Sequence, residues 1–360
     1  MTDAILSERL RPLIRQDIQS MQAYAVQDAA GLVKLDAMEN PFTLPPPLQA
    51  ELGRRLGALA LNRYPGPRLD DLREALVRHA NLPEGCALML GNGSDELISL
   101  LAMACDVPGA AILAPVPGFV MYAMSAQLQG LRFIGVDLRP DFQLDEAAML
   151  NAIERERPSI IYLAYPNNPT AGLWDDAVIE RIVRAAPGLV VIDEAYQPFS
   201  SRSYIDRLAS HPHVLLMRTL SKFGLAGVRI GYLAGAQPLI AEIDKVRPPY
   251  NVSVLNAEAA LFALEHADVY EAQAALLREQ RAGLMRSLAE LPGVQPWPSD
   301  ANMILVRVPD AARAFAGMKQ RGVLVKNVSK MHSLLVNCLR LTVGTPEENA
   351  RMLQALQASL

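Results

Sequence analysis

Lys222 stands in the stretch Thr219-Leu-Ser221-Lys222-Phe-Gly-Leu-Ala-Gly-Val-Arg229, among small and apolar residues. A lysine is ordinarily a solvated surface charge. In a Gly-rich, apolar loop its ammonium gives up the proton more readily, and the free amine can attack a carbonyl to form a Schiff base. Hydroxyls at Thr219 and Ser221 and the guanidinium of Arg229 flank it, and these are phosphate-binding groups. An amine nucleophile among phosphate ligands is what an aldehyde bearing a phosphate requires, and pyridoxal phosphate is such a molecule.

Three further clusters fall between an apolar run and a polar turn. Gly91-Asn-Gly93-Ser94-Asp95-Glu96 separates a strand-like run from a helical one. Backbone N–H groups at a helix start bind phosphate, and glycines permit close approach; a Ser94 N-cap with Asp95 favouring the helix dipole accounts for the same residues. The cluster lacks the third glycine of a dinucleotide fingerprint and the Gly-Lys-Ser/Thr of a P-loop. Tyr165-Pro-Asn-Asn168-Pro-Thr170 follows a buried run and reads either as a turn or as an amide, Asn168, aimed at a phenolate oxygen. Val191-Ile-Asp193-Glu-Ala-Tyr196 ends another run. A carboxylate at a strand's C-terminal end lies on the ligand side of an open α/β sheet, where Asp193 could pair with a pyridinium nitrogen and Tyr196 could reach a phenolate.

The elements that must hold these residues follow from hydrophobic patterning. Strand-like runs at 87–90, 110–114, 132–137, 160–164, 189–192, 214–217 and 230–234 alternate with helical patterns at 94–105, after Pro115-Val-Pro-Gly up to Gln129, at 145–155 and at 175–186. Continuous apolar strands separated by helices predict a mostly parallel sheet covered on both faces. After Arg247-Pro-Pro the pattern changes to helices at 256–266 and 269–291, then strands at 303–308, 323–325 and 339–343 with helices at 311–319 and from Pro346 onward. This predicts a smaller α+β domain, joined by an N-terminal arm that runs through Leu35 to Pro45-Pro-Pro. The expected division is 1–47 for the arm and part of the small domain, 48–248 for a large cofactor-binding α/β domain, and 249–360 for the small C-terminal domain.

Of the 360 residues, 51% are hydrophobic and 20% charged, with a formal net charge of -4. That composition supports a large core and opposes disorder. The absence of basic clusters argues against nucleic acid, and the longest apolar runs are strand-sized, too short to span a membrane. The opening residues mix acid and base without an apolar stretch, so no secretory signal is expected. Cys86, Cys105 and Cys338 form no Cys-x-x-Cys pair, and the five histidines form no His-Glu-x-x-His pattern. Reduced thiols, no metal and a cytoplasmic location are the expectation. His211 and His213 alternate in a loop and read as loop residues rather than metal ligands.

Taken together and in this order, the motifs resemble those of the fold-type I pyridoxal-phosphate aminotransferases over nearly the whole chain. They are most similar to the histidinol-phosphate aminotransferases. The similarity also rests on Lys34-Leu-Asp-Ala-Met-Glu-Asn40-Pro-Phe, Arg63-Tyr64-Pro-Gly, Pro117-Gly-Phe119-Val-Met-Tyr122 and Asn337-Cys-Leu-Arg340-Leu-Thr-Val-Gly-Thr345. The resemblance implies a seven-stranded sheet, a homodimer with a shared active site, and amino-group transfer between histidinol phosphate and 2-oxoglutarate in histidine biosynthesis, by a ping-pong cycle. It implies that Lys222 bonds the cofactor aldehyde and shuttles the Cα proton, that Asp193 keeps the ring nitrogen protonated, and that Asn168 and Tyr196 bind the ring oxygen. Phe119 would stack on the ring. Ser94, Asp95, Thr219, Ser221 and Arg229, with Tyr64 from the neighbouring subunit, would hold the cofactor phosphate. Arg340 would grip the acidic group of the substrate, with Tyr24, Asn40 and Lys326 as further substrate contacts.

Three positions depart from the family pattern. Met38 stands where Asn is frequent, Ala171 separates Thr170 from Gly172, and Lys326 replaces an arginine, supplying charge without the bidentate fork. An aromatic amino-acid aminotransferase and a threonine-phosphate decarboxylase are the alternative readings on this scaffold. A cofactor-binding transcriptional regulator would need a DNA-binding domain for which the first 30 residues are too few and not basic.

Overall fold

Runs of buried Ile, Val and Leu build the centre of the molecule. In the computed structural model, which describes residues 10–22 and 27–360, there are thirteen strands. A short strand, β1 (Val33–Lys34), precedes seven that form the main sheet: β2 (Cys86–Gly91), β3 (Ala111–Val116), β4 (Arg132–Asp137), β5 (Ile160–Ala164), β6 (Leu189–Asp193), β7 (Val214–Thr219) and β8 (Gly231–Ala236). Their order is β2-β8-β7-β6-β5-β3-β4. All pairs are parallel except those of β8, which runs against both β2 and β7.

Side chains alternate between the faces of the sheet. Val190, Ile192 and Leu216 join one core with Leu72 and Leu76 from the helix Arg68–Ala80 and Ile179 and Ile182 from the helix Asp176–Ala185. Val191, Leu215 and Met217 join another with Leu97, Ile98 and Leu101 from the helix Ser94–Ala104 and Tyr122 and Ala126 from the helix Val120–Gln129. Burial on both faces is why these strands read as unbroken apolar runs.

The second sheet contains β9 (Gln295–Pro296), β10 (Met303–Arg307), β12 (Lys326–Asn327) and β13 (Cys338–Thr342), in the antiparallel order β12-β13-β10-β9. Between them, β11 (Val323–Leu324) pairs with β1, so the N-terminal arm is stitched to the C-terminal part of the chain. The helices Ala267–Glu290, Ala311–Gln320 and Pro346–Gln357 pack on this sheet. Thr345 and Glu348 close a reciprocal capping box at the start of the last helix.

Among the described residues four helices escaped the patterning: Gln16–Ser20, Pro46–Gly57, Arg68–Ala80 and Gln237–Ile243. Pro45-Pro-Pro reads as an extended arm, yet two of its prolines occupy the first turn of a helix. There the missing N–H costs nothing and the fixed φ is already helical.

Candidate active site

Because β2 and β3 to β7 run the same way, their C-terminal ends share one edge of the sheet. The loops after β2, β3, β5, β6 and β7 converge there with the chain entering the antiparallel β8. Ser94, Asp95, Phe119, Asn168, Asp193, Tyr196, Thr219, Ser221, Lys222 and Arg229 all line a single cavity at this edge, with Met38 from the N-terminal arm. They come from the turns after five different strands, and the sheet register is what brings them together.

Part of the lining carries groups that can bind an anion. Gly93, with φ of 80°, is the residue before the helix Ser94–Ala104, and no side chain caps that helix. The plain N-cap reading of Ser94 is therefore corrected: Ser94 is the first helical residue, and the helix start is left to other partners. A Cβ on Gly93 would stand 2.5 Å from Arg229 Nη2, and one on Gly231 would stand 2.8 Å from the Gly93 carbonyl carbon. Both glycines are required by close approach. Arg229 Nη2 lies 3.3 Å from Asp95 Oδ2, and Thr219 Oγ1 donates to Ser221 Oγ at 3.0 Å.

Asp193, in the same lining, is 4% exposed. Its Oδ1 accepts the Ala195 N–H at 3.0 Å and its Oδ2 accepts the Tyr122 hydroxyl at 2.6 Å. Burial pushes this carboxyl up to about 6, against the pull of those two hydrogen bonds. Its sequence neighbour Glu194 points away and is bound by Arg218 Nη2 at 2.8 Å and by Ser203.

Lys222 lies in a tight turn, Ser221–Leu225. Its Nζ donates to the Ala37 carbonyl at 2.9 Å. Burial, and then the charge of Arg340, push its pKa down to about 8. Arg340 on β13 donates to Asn168 Oδ1 at 2.8 Å and to the Asp36 carbonyl at 2.6 Å. Asn168 in turn donates to the Tyr196 hydroxyl at 3.1 Å. A hydrogen-bonded chain thus runs from guanidinium to phenol along one wall.

Lys326 sits directly opposite Arg340 in the β12–β13 pair, and directly paired residues share a face of the sheet. Asn40 is elsewhere: its amide donates to Gln273 Oε1 at 2.9 Å and its Oδ1 accepts the Phe42 N–H. It ties the arm to the helix Ala267–Glu290 and is not among the cavity-lining residues. Tyr64 is 75% exposed, stacks on Tyr250 at 4.2 Å and is not among the cavity-lining residues. Tyr24 lies outside the described residues.

Patterning missed the arm's part in the site. The carbonyls of Asp36 and Ala37 hold Arg340 and Lys222 across separations of 304 and 185 residues. A backbone carbonyl leaves no mark in a residue type, and nothing local in the sequence could have signalled these contacts.

A parallel sheet with an amine, a buried carboxylate and an anion cradle at its C-terminal edge defines a fold-type I enzyme. The aminotransferase class I and II family model matches residues 31–356, and the chain belongs to that family. A histidinol-phosphate aminotransferase of Polaromonas naphthalenivorans is 71% identical over 99% of both chains. One of Methylibium petroleiphilum is 72% identical over 99% of this chain and 96% of its own. The crystal structure of histidinol-phosphate aminotransferase from Sinorhizobium meliloti in complex with pyridoxal-5'-phosphate superposes with a TM-score of 0.82. It is 25% identical and covers 96% of this chain and 97% of that one.

Proposed function

We propose that the protein is a pyridoxal-phosphate-dependent histidinol-phosphate aminotransferase of histidine biosynthesis, exchanging an amino group between L-histidinol phosphate and 2-oxoglutarate. The observation that carries this reading is the polarity of the cavity. Its lining brings together an anion cradle, a buried carboxylate and an amine, and two cations, Arg340 and Lys326, face each other on one strand pair. Identity above 70% to histidinol-phosphate aminotransferases along the full chain supports the choice of substrate.

The residues present fit the cofactor. Asp193 is a buried carboxylate with no ion pair among the described residues, a cost that a protonated ring nitrogen would relieve. Gly93 and Gly231 keep open a cradle that a Cβ would fill. In this reading Ser94, Asp95, Thr219, Ser221 and Arg229 bind the phosphate, Asn168 and Tyr196 the ring oxygen, and Phe119 the ring face. When bound, the cofactor supplies an aldehyde for the amino group and a ring that draws electrons from the substrate's Cα. Lys222 would be the amine that holds the cofactor, and its Nζ would be the group that accepts and returns a proton. A pKa of about 8 suits that exchange near neutral pH. Asp193 holds a proton at the ring nitrogen. Arg340 and Lys326 orient the substrate anion.

The active unit in this reading is a homodimer, with Tyr64 reaching the phosphate of the neighbouring subunit; its exposure and its stacking on Tyr250 support this. The arm with part of the small domain (1–47), the large domain (48–248) and the small domain (249–360) form the working division, supported by the β1–β11 pairing. The location is the cytoplasm, with small-molecule substrates and neither membrane nor nucleic acid as partner. Among the described residues no helix is long and apolar enough to cross a membrane.

Borohydride reduction followed by peptide mapping tests the central assignment. The cofactor is expected on Lys222, and a label on another lysine would overturn it.

A further inference from the structure

The wall behind Asp193 is aromatic. Tyr122 is 2% exposed, and its hydroxyl is the donor to Asp193 Oδ2 at 2.6 Å. Its ring stacks on Tyr162, with centroids 4.3 Å apart and planes 7° from parallel. Phe119 meets it edge-on at 5.6 Å. Phe119 immediately precedes the helix Val120–Gln129, and Tyr122 lies one turn further on. Residues three apart share a helix face. A single helix start therefore fixes both the aromatic ring that lines the cavity and the hydroxyl that holds the carboxylate.

We propose that Tyr122 is a positioning residue for Asp193, orienting its carboxylate toward the cofactor's pyridine nitrogen and keeping it ionised so that the proton stays on the ring. The inference rests on the assignment of Asp193 in the proposed function. A buried carboxylate drifts to its neutral form unless hydrogen bonds favour the charge. The titratable groups around it are Tyr122, Tyr162, Tyr196, Asp95, Glu194 and, across the cavity, Lys222. Asp95 and Glu194 add to the burial that favours protonation. Tyr122 opposes both. Burial holds the phenol's own pKa well above its ordinary value, so Tyr122 donates its hydrogen bond and stays neutral. Tyr162 contributes packing only, since its buried hydroxyl has no hydrogen-bond partner among the described residues.

The test uses holoprotein reconstituted with pyridoxal phosphate labelled with 15N in the ring, read by the chemical shift of that nitrogen and by kcat. Wild type and Tyr162→Phe are expected at the protonated end of the range, and Asp193→Asn at the neutral end. Tyr122→Phe is expected to move toward the neutral end and to lower kcat by about tenfold to a hundredfold, the loss of one hydrogen bond to a charged group. A wild-type shift in Tyr122→Phe beside a neutral Asp193→Asn overturns the inference alone. A protonated ring in Asp193→Asn overturns the assignment of Asp193 and the inference with it. If Tyr122→Phe does not retain cofactor, the Asp193 carboxyl is titrated by 13C NMR in the apoprotein. Its midpoint is expected to rise from about 6, and an unchanged midpoint overturns the inference.

Discussion

Lys222 and Asp193 carry opposite displacements. The lysine is pushed down to about 8 and the aspartate up to about 6, both chiefly by burial, so each is drawn toward its neutral form. Only the unprotonated amine attacks the aldehyde. The rate of cofactor uptake by apoprotein, followed by absorbance, is therefore expected to rise with pH and level off above about 8; a rate falling across that range would contradict the assignment. Lys222→Ala is expected to lower turnover by several orders of magnitude, since it removes both the bonding amine and the proton carrier, and rapid-quench assays would measure the loss. At the substrate end, Arg340→Ala is expected to weaken glutamate and histidinol phosphate alike. Each hydrogen bond to a charged partner is worth about 1.5–3 kcal/mol. Lys326→Ala is expected to weaken chiefly the phosphate substrate. Separate titration of the two half-reactions distinguishes these effects.

Elements place these residues, and how far each was legible follows from how local its cause is. Strand ends were legible because β5, β6 and β7 are apolar runs terminated by Pro166, Asp193 and Ser221, and chemistry beyond a strand end lies on the ligand side. Asp193 and Asn168 were singled out in this way, Lys222 and Arg229 from their Gly-rich loop, and all four line the cavity. Reversal of β8 was not legible, because an apolar run carries no direction. Nor was the helix beginning at Pro46, whose prolines suit a first turn as well as a loop. The turn after β2 offers a direct test. Gly93→Ala would strain a residue at φ 80° and drive a Cβ against Arg229 Nη2. Cofactor affinity, measured by absorbance titration with pyridoxal phosphate, is expected to fall while far-UV circular dichroism stays unchanged.

At the scale of the whole molecule, the exposed Tyr64 belongs to a loop whose two ends are held together. Arg55 at the end of one helix and Arg68 at the start of the next both pair with Glu258, which is 3% exposed. Removing the shared carboxylate leaves Arg55 with Glu265 and Arg68 with Asp71, so Glu258→Ala is expected to lower unfolding stability by about 1.5–3 kcal/mol, the loss of hydrogen bonds to a charged group, read by urea denaturation. The same variant loosens the loop that would reach a second subunit, a consequence visible by sedimentation. The central claim, however, is the reaction. Holoprotein mixed in a stopped-flow instrument with histidinol phosphate, phenylalanine or threonine phosphate gives the most direct answer. Histidinol phosphate is expected to discharge the cofactor's aldehyde-form absorbance fastest, with 2-oxoglutarate restoring it and no carbon dioxide released. Faster discharge by phenylalanine, or carbon dioxide from threonine phosphate, would contradict it.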